Sequence, residues 1–333
     1  MKDCINWGII GCGGIAKMFV SSIRAVENSN LFAVASRTPG KAKDFSGKHG
    51  IESYYSDYES LLQIDELDAV YIATTANFHF ENVKLVLESG KSVLCEKPFT
   101  VNADELKELI QIACERNLFM MEGMWTRFLP AMVQLRELLD KGKIGKVKQL
   151  RATFGFQLAD NINHRLLDTS LAGGALLDTG VYPLSFANMV MKEKPVKVQA
   201  LADIGESSVD EQSAYLLKYA SGALGILDST ISAGVVSRAE VMGTKGSIQI
   251  SDKFLGADEL ILNRPGQEPL CMSFPYDKEA SFKFEIEAAS EAIRLGKLEH
   301  EIMSLSDSLQ IIETMDKIRG QIDLVFQNDL KSN

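Results

Sequence analysis

Basic charge is in short supply in this chain. Against 45 Asp and Glu stand 35 Lys and Arg, giving a formal net charge of −10. Phosphate backbones call for a concentrated basic surface, so nucleic acid is excluded as a partner. No apolar run approaches the roughly 20 residues that span a bilayer, so a membrane is excluded as well. Stretch 5–16 is apolar and small, yet it does not read as a secretory signal: Asp3 precedes it, glycines punctuate it, and it has no A-x-A cleavage site. The five cysteines (Cys4, Cys12, Cys95, Cys114 and Cys271) are odd in number and form no C-x-x-C pair. That usage fits reduced thiols in a cytoplasm and offers no structural zinc site. The four histidines (His49, His79, His164 and His300) are scattered, so no metal centre is expected. Repeats and low-complexity tracts are missing too.

With 333 residues, 46% of them hydrophobic, the chain suits two domains that each bury a core. Residues 5–10 read as a strand that runs straight into Gly11-Cys12-Gly13-Gly14-Ile15-Ala16, after which Met18, Phe19, Ile23 and Val26 take helical spacing. A G-x-G-x-x-A turn between strand and helix is a dinucleotide fingerprint. Gly11 permits the tight turn, Gly13 lets a pyrophosphate approach the backbone, and the helix N-terminus faces its negative charge. A second strand over 31–35 ends in Ser36-Arg37, with no Asp or Glu before Lys43. An acidic residue there would bind the ribose 2′-hydroxyl of NAD. A hydroxyl and a planar guanidinium suit a 2′-phosphate instead, so NADP is preferred, with NAD the alternative.

A short helix over 57–62, a third strand over 68–73, a helix over 81–89 and a strand over 92–95 continue the alternation of a parallel sheet. In such a sheet the ligand lies beyond the strand C-termini. Thr74, Asn77 and His79 follow the third strand, and Glu96-Lys97-Pro98 follows the fourth, so both groups fall on the ligand edge. Proline bars Lys97 from the helical region and can hold a cis bond, which fixes where the lysine points. His79 either touches the cofactor or caps its own helix. A helix over 102–116 and a strand over 118–122 complete a nucleotide domain spanning 1–122.

The second domain, 123–333, begins with a helix over 131–141. Strands are expected over 147–154, 196–202, 213–219, 223–230, 239–242, 247–250 and 259–263. Short glycine-containing links between several of them imply antiparallel neighbours. The fold class is therefore α/β: an N-terminal Rossmann doubly wound sheet plus a C-terminal α+β domain with a large, mostly antiparallel, open-faced sheet. Helices cover one face and leave the other to a partner subunit, giving a homodimer or a tetramer. Helices over 282–295 and 304–319 end the chain, the last packing back on the first domain. The chemistry of this half lies in Gly173-Gly174-Ala175-Leu176-Leu177-Asp178-Thr179-Gly180-Val181-Tyr182, where Asp178 and Tyr182 stand four apart.

The glycine turn, Glu96-Lys97-Pro98 and Asp178-Thr179-Gly180-Val181-Tyr182, in this order and spacing, resemble the Gfo/Idh/MocA oxidoreductase family along most of the chain. Within the family, Met121 to Phe128 and Gly173 to Asp178 are most similar to the branch of dimeric dihydrodiol dehydrogenases and NADP-linked xylose dehydrogenases. The resemblance implies a pyridine nucleotide, a dimerising open sheet, Lys97 and Tyr182 as the catalytic pair, and Trp125, Phe154 and Asp178 lining the substrate pocket. Arg165, in the irregular segment before Asp178, joins the substrate-binding set, and Glu96 joins the cofactor set. Many relatives carry His in place of Tyr182. Many also read Pro-Asn-x-x-His in the loop that is Thr75-Ala76-Asn77-Phe78-His79 here, which places Asn77 one position late.

The expected reaction is hydride transfer between nicotinamide and a hydroxyl of a sugar, polyol or cyclic trans-diol. A free Tyr titrates at about 10 and a free Lys at about 10.4, so neither is a base at neutral pH unaided. An ammonium on Lys97 favours phenolate on Tyr182. Alternatives on the same scaffold are inositol oxidation and NAD-assisted glycoside cleavage. A nucleotide sensor without turnover is a third alternative, and it would need none of Lys97, Asp178 and Tyr182.

Overall fold

The computed structural model describes residues 4–158, 164–250 and 254–330. They form two compact units. The first comprises Met1–Thr100, Asp104–Trp125 and Asp277–Ser308. Its strands are β1 (Ile5–Ile10), β2 (Ser29–Ala35), β3 (Ser53–Tyr55), β4 (Ala69–Ile72), β5 (Ser92–Glu96) and β6 (Met120–Gly123). Between them run α1 (Gly14–Ile23), α2 (Lys41–His49), α3 (Tyr58–Leu62), α4 (His79–Glu88) and α5 (Ala103–Arg116). All strand pairs are parallel, in the order β3-β2-β1-β4-β5-β6. This is the doubly wound Rossmann order, with its switch point between β1 and β4. The inner strands are almost wholly buried, as a sheet covered by helices on both faces requires. Its aromatic centre stacks Phe19 on Tyr71 at 4.0 Å and sets Trp7 edge-on to Phe19 at 5.8 Å. Trp7 Nε1 donates to Ser290 Oγ at 3.0 Å, tying in a helix from the far end of the chain, α8 (Lys283–Arg294).

The second unit comprises Val101–Ala103, Thr126–Tyr276 and Leu309–Asn333. After α6 (Pro130–Asp140) come β7 (Val147–Gly155) and α7 (Val181–Met191). Next are β8 (Lys197–Ile204), β9 (Asp210–Lys218), β10 (Leu224–Thr230), β11 (Arg238–Gly243), β12 (Gly246–Ile250), β13 (Glu259–Asn263) and β14 (Leu270–Ser273). The sheet order is β14-β13-β12-β11-β7-β10-β9-β8, antiparallel throughout except for the β7–β10 pair. Parallel neighbours need a crossover, and α7 lies within it, packed on both strands. The helix is buried from Val181 to Val190, its polar Tyr182, Ser185 and Asn188 included. Strand β9 alternates: Ser213, Tyr215 and Leu217 are buried, while Ala214, Leu216 and Lys218 are exposed. Leu201, Leu216 and Leu224 leave an apolar patch on the outward face, 81%, 53% and 46% exposed.

The parallel and antiparallel sheets match the expected fold class. Two strands and two helices, α2 and Gln327–Leu330, were not anticipated. β3 makes 69–72 the fourth strand rather than the third, because three residues leave too little alternation to read. β14 is likewise a short, mostly exposed edge strand, and α2 has only a weak apolar face, Ala42 and Phe45. Gly11 sets the turn after β1: its φ is +103°, and a Cβ there would stand 2.7 Å from the Ala73 carbonyl oxygen. Gly11→Ala is expected to destabilise this unit by about 1–3 kcal/mol, measured as a lower midpoint in urea unfolding.

Candidate active site

The ends of β1, β2 and β4 are fastened together by the backbone. Gly11 N–H donates to Ala35 O at 3.0 Å, and Ala73 N–H to Ile10 O at 2.8 Å. Gly13 precedes α1 in an extended conformation, and no side chain caps the helix or places an acid in its first turn. Its N–H groups and positive dipole end thus suit an anion. Gly14 has nothing within 4 Å of an added Cβ, and Ile15 and Ala16 begin the helix, Ala16 fully buried. Ser36 is buried, and its Oγ accepts from Thr38 N at 3.3 Å. Arg37 is exposed, its guanidinium 4.8 Å from the Tyr58 ring and 5.3 Å from that of Phe78. Two aromatic faces thus hold the planar fork beside the strand end. Burial pushes the Cys12 thiol up despite Lys41 and a hydrogen bond with Ser36.

The loop after β4 is braced from within. Thr75 Oγ1 donates to Asn77 Oδ1 at 2.7 Å, and Asn82 Nδ2 to Thr74 Oγ1 at 3.1 Å. His79 is buried in the first turn of α4, its Nδ1 2.8 Å from Pro98 O and its Nε2 3.1 Å from Thr74 O. The ring therefore spans two backbone carbonyls instead of capping its helix. Burial lowers its pKa. Through His79 the Thr74 loop is fixed to the Lys97-Pro98 turn, whose peptide bond is cis. Lys97 is half-buried at the end of β5.

Behind the lysine lies a group of buried acids. Glu96 is 4% exposed and accepts from the Tyr71 hydroxyl through Oε1. Burial raises its carboxyl to about 7, against the opposing pull of Tyr71, the Lys97 ammonium and the Lys97 N–H. Glu122 accepts from Phe99 N at 3.0 Å and pushes Glu96 further up. Glu285, on α8, is fully buried with no hydrogen-bond partner on either oxygen, and burial followed by Glu96 drives its carboxyl well above the usual range. Trp125 ends the first unit with its ring 5.6 Å from that of Phe282, just before α8.

In the second unit, Phe154 on β7 meets Tyr182 edge-to-face at 5.4 Å and 86°. Arg165 Nη2 donates to Asp178 Oδ1 at 3.0 Å. Asp178 lies in one turn of π-helix, Leu176–Gly180, which leads directly into α7 and Tyr182. π turns are rare and concentrate at functional sites. The segment before it closes on itself: Gly173 N–H donates to Asp168 O at 3.0 Å and Gly174 N–H to Leu166 O at 2.8 Å. The expected site residues thus form two sets: Gly11 to Lys97 and Trp125 in the first unit, and Phe154, Arg165, Asp178 and Tyr182 in the second.

Four supporting residues were not anticipated. Tyr71 and Glu285 hold or face Glu96. Arg127, 2% exposed, grips α7 through Ser185 Oγ and O at 2.8 Å and Asn188 Oδ1 at 2.7 Å. Asp210, fully buried, accepts from Leu176 N at 2.7 Å. Glu285 left a trace in the sequence: it occupies the apolar stripe of α8 with Ile286, Ala289 and Ala292, where a carboxylate is out of place.

A doubly wound sheet with a glycine turn at its switch point, an uncapped helix behind it and a guanidinium at the second strand end defines a dinucleotide-binding oxidoreductase fold. Residues 5–124 match the model of the oxidoreductase family with an NAD-binding Rossmann fold, GFO/IDH/MocA, and residues 132–249 match the GFO/IDH/MocA C-terminal domain. The chain belongs to this family of NAD(P)-dependent oxidoreductases. It is 34% identical over 338 residues to trans-1,2-dihydrobenzene-1,2-diol dehydrogenase of Bos taurus, covering 98% of this chain and 99% of that protein. A 3-ketoreductase from Actinomadura kijaniata, solved with NADP and TDP-benzene, superposes with a TM-score of 0.85 at 26% identity, over 96% of this chain and 98% of that one. An aldose-aldose oxidoreductase from Caulobacter crescentus shares the fold at a TM-score of 0.87, 24% identical over 96% of this chain and 98% of that one. Among the described residues, no helix is long and apolar enough to cross a membrane.

The raised Glu96 carboxyl makes stability depend on pH. The unfolded chain releases this proton near 4.5 and the folded one at about 7, so stability is lost as pH rises through that window. Glu96→Gln does not ionise and is expected to gain about 3 kcal/mol on wild type between pH 4 and pH 8, read from urea unfolding across pH.

Proposed function

We propose that the chain is an NADP-dependent dehydrogenase acting on a hydroxyl of a sugar, polyol or cyclic trans-diol. The observation that carries this reading is the end-to-end likeness to a diol dehydrogenase, which spans nearly all of both chains. Arg37 held between two aromatic rings, with no acid at the strand end, favours the 2′-phosphate. Residues 1–122 serve as the nucleotide domain and 123–333 as the substrate and dimerisation domain.

Gly11, Gly13, Gly14, Ile15 and Ala16 receive the pyrophosphate, Ser36 and Arg37 the adenosine end, and Thr74, Asn77, Glu96 and Lys97 the nicotinamide end. His79 contributes by holding Thr74 and Pro98 in place. When bound, the nicotinamide supplies the hydride acceptor. Tyr182 takes the proton of the substrate hydroxyl as general base. Lys97 donates a hydrogen bond to the same oxygen as negative charge builds on it. Asp178, steadied by Arg165, binds a neighbouring hydroxyl, and the flat faces of Trp125 and Phe154 take the C–H side of the ring. A second copy of the chain covers the patch of Leu201, Leu216 and Leu224, giving a cytoplasmic homodimer, with a tetramer as the larger assembly.

NADP reduction against a panel of aldoses, inositols and trans-dihydrodiols, repeated with NAD, tests the substrate class. Turnover of at least one sugar or diol with NADP preferred is expected; no turnover despite tight NADPH binding sinks the reading. In single-turnover measurements, Lys97→Met and Tyr182→Phe are expected to slow hydride transfer by about 10²–10⁴-fold. A rate within a few-fold of wild type would overturn their assignment. Arg37→Ser is expected to raise the KM for NADP about tenfold and leave that for NAD unchanged.

A further inference from the structure

The π turn that carries Asp178 has no cap of its own: the residue before it, Ala175, offers no side-chain hydrogen bond. Its entry is held from 34 residues away in sequence. Asp210, the first residue of β9, is fully buried, and its Oδ2 accepts both Leu176 N–H and Ser213 Oγ–H at 2.7 Å. Its other oxygen, Oδ1, has no hydrogen-bond partner and points at Gly174, where φ is +111° and a Cβ would stand 2.2 Å away. The exit of the turn is equally crowded. A Cβ on Gly180 would lie 2.8 Å from Tyr215 Oη and 3.0 Å from Ser229 Oγ, and those two hydroxyls bond each other at 2.7 Å. Inside the turn, Thr179 Oγ1 donates to Ala175 O at 2.7 Å. The two sheet strands thus clamp five residues at both ends, and one end of the clamp is a buried carboxylate.

We infer that Asp210 is a positioning residue for the reaction: its carboxylate sets the π turn, and through it the places of Asp178 and Tyr182. The inference rests on the roles given above to those two residues. A charged acceptor on a buried N–H is about twice as strong as a neutral one, so ionised Asp210 holds the turn most firmly. Burial raises this carboxyl to about 6, with Ser213 and the Leu176 N–H pulling the other way. The titratable group that faces it is Tyr215 on β9, with Glu211 next to it in the same strand. Tyr215 is itself pushed up by burial and by Asp210, so it is neutral at physiological pH. The Leu176 N–H and Ser213 hydrogen bonds favour the ionised carboxylate against burial, so with Asp210 still buried when the turn loosens, those two bonds weaken as pH falls through about 6.

The test reads amide hydrogen exchange of residues 174–182 in the unliganded protein, together with the pH profile of kcat/KM. In wild type, exchange corrected for its intrinsic pH dependence is expected to rise below about pH 6, and kcat/KM to fall over the same range. Asp210→Asn keeps a neutral acceptor for Leu176 and loses the proton. It is expected to show, at every pH, the kcat/KM and the exchange that wild type reaches only below about pH 6, and so to have no acid limb there. Asp210→Ala is expected to lose about 10²-fold in kcat/KM at every pH, with faster exchange at 174–182 and an unchanged Kd for NADPH. Should Asp210→Ala not fold, the wild-type titration and Asp210→Asn decide alone. Exchange at 174–182 that is flat from pH 5 to 8 in wild type overturns the inference whatever the chemistry. Altered exchange with unchanged turnover overturns instead the roles assigned to Asp178 and Tyr182.

Discussion

The nucleotide-binding unit depends on β1 being paired in parallel on both sides, with β2 and with β4. That arrangement sends the chain in opposite directions from one central strand and leaves a gap between the two following loops. Each loop is then tied to the end of β1 or β2 by a single backbone hydrogen bond, from Gly11 to Ala35 and from Ala73 to Ile10. The glycine turn, the Ser36-Arg37 strand end and the Thr74 loop are thereby placed at once. The turn leaves so little space that only a residue without a side chain fits against the Ala73 carbonyl. β5 extends the same edge by one strand and delivers Lys97 there.

Both units keep acids where solvent does not reach. Glu96 and Glu285 lie in the first and Asp210 in the second, each with its carboxyl raised by burial. Apolar residues of similar volume would be the more stable choice at such positions. Buried carboxyls beside Lys97, or at the root of a turn bearing an acid and a phenol, mark places where stability has been given up for position and charge.

Most of the fold could be read from the sequence, and the reasons are specific. The inner strands β4 and β5 are short apolar runs bounded by polar residues, and β9 and β10 are set apart by the glycine-containing turn between them, so both pairs could be read. β3 and β14 are too short and exposed to show a pattern. For the site, the residues that were legible are those that break a local rule: a glycine triplet after a strand, a lysine before a proline, an arginine where an acid is usual. Tyr71, Arg127 and Asp210 break none. A Tyr in a buried strand, an Arg in a loop and an Asp at a strand start are ordinary until their partners, 25, 58 and 34 residues away, are known. The π turn was unreadable for the same reason, since nothing in its own composition marks it and its contacts come from β9 and β10.

The parallel pairing of β7 with β10 has a further consequence. Being parallel, this pair obliges the chain to leave the sheet and come back, and the turns that precede α7 travel on that detour. Within that detour residues 165–171 form two short 3-10 turns and no strand, so their make-up can change while the strands keep their register. Diversification of what such a scaffold recognises is thereby confined to one replaceable cassette, with the architecture around it left intact.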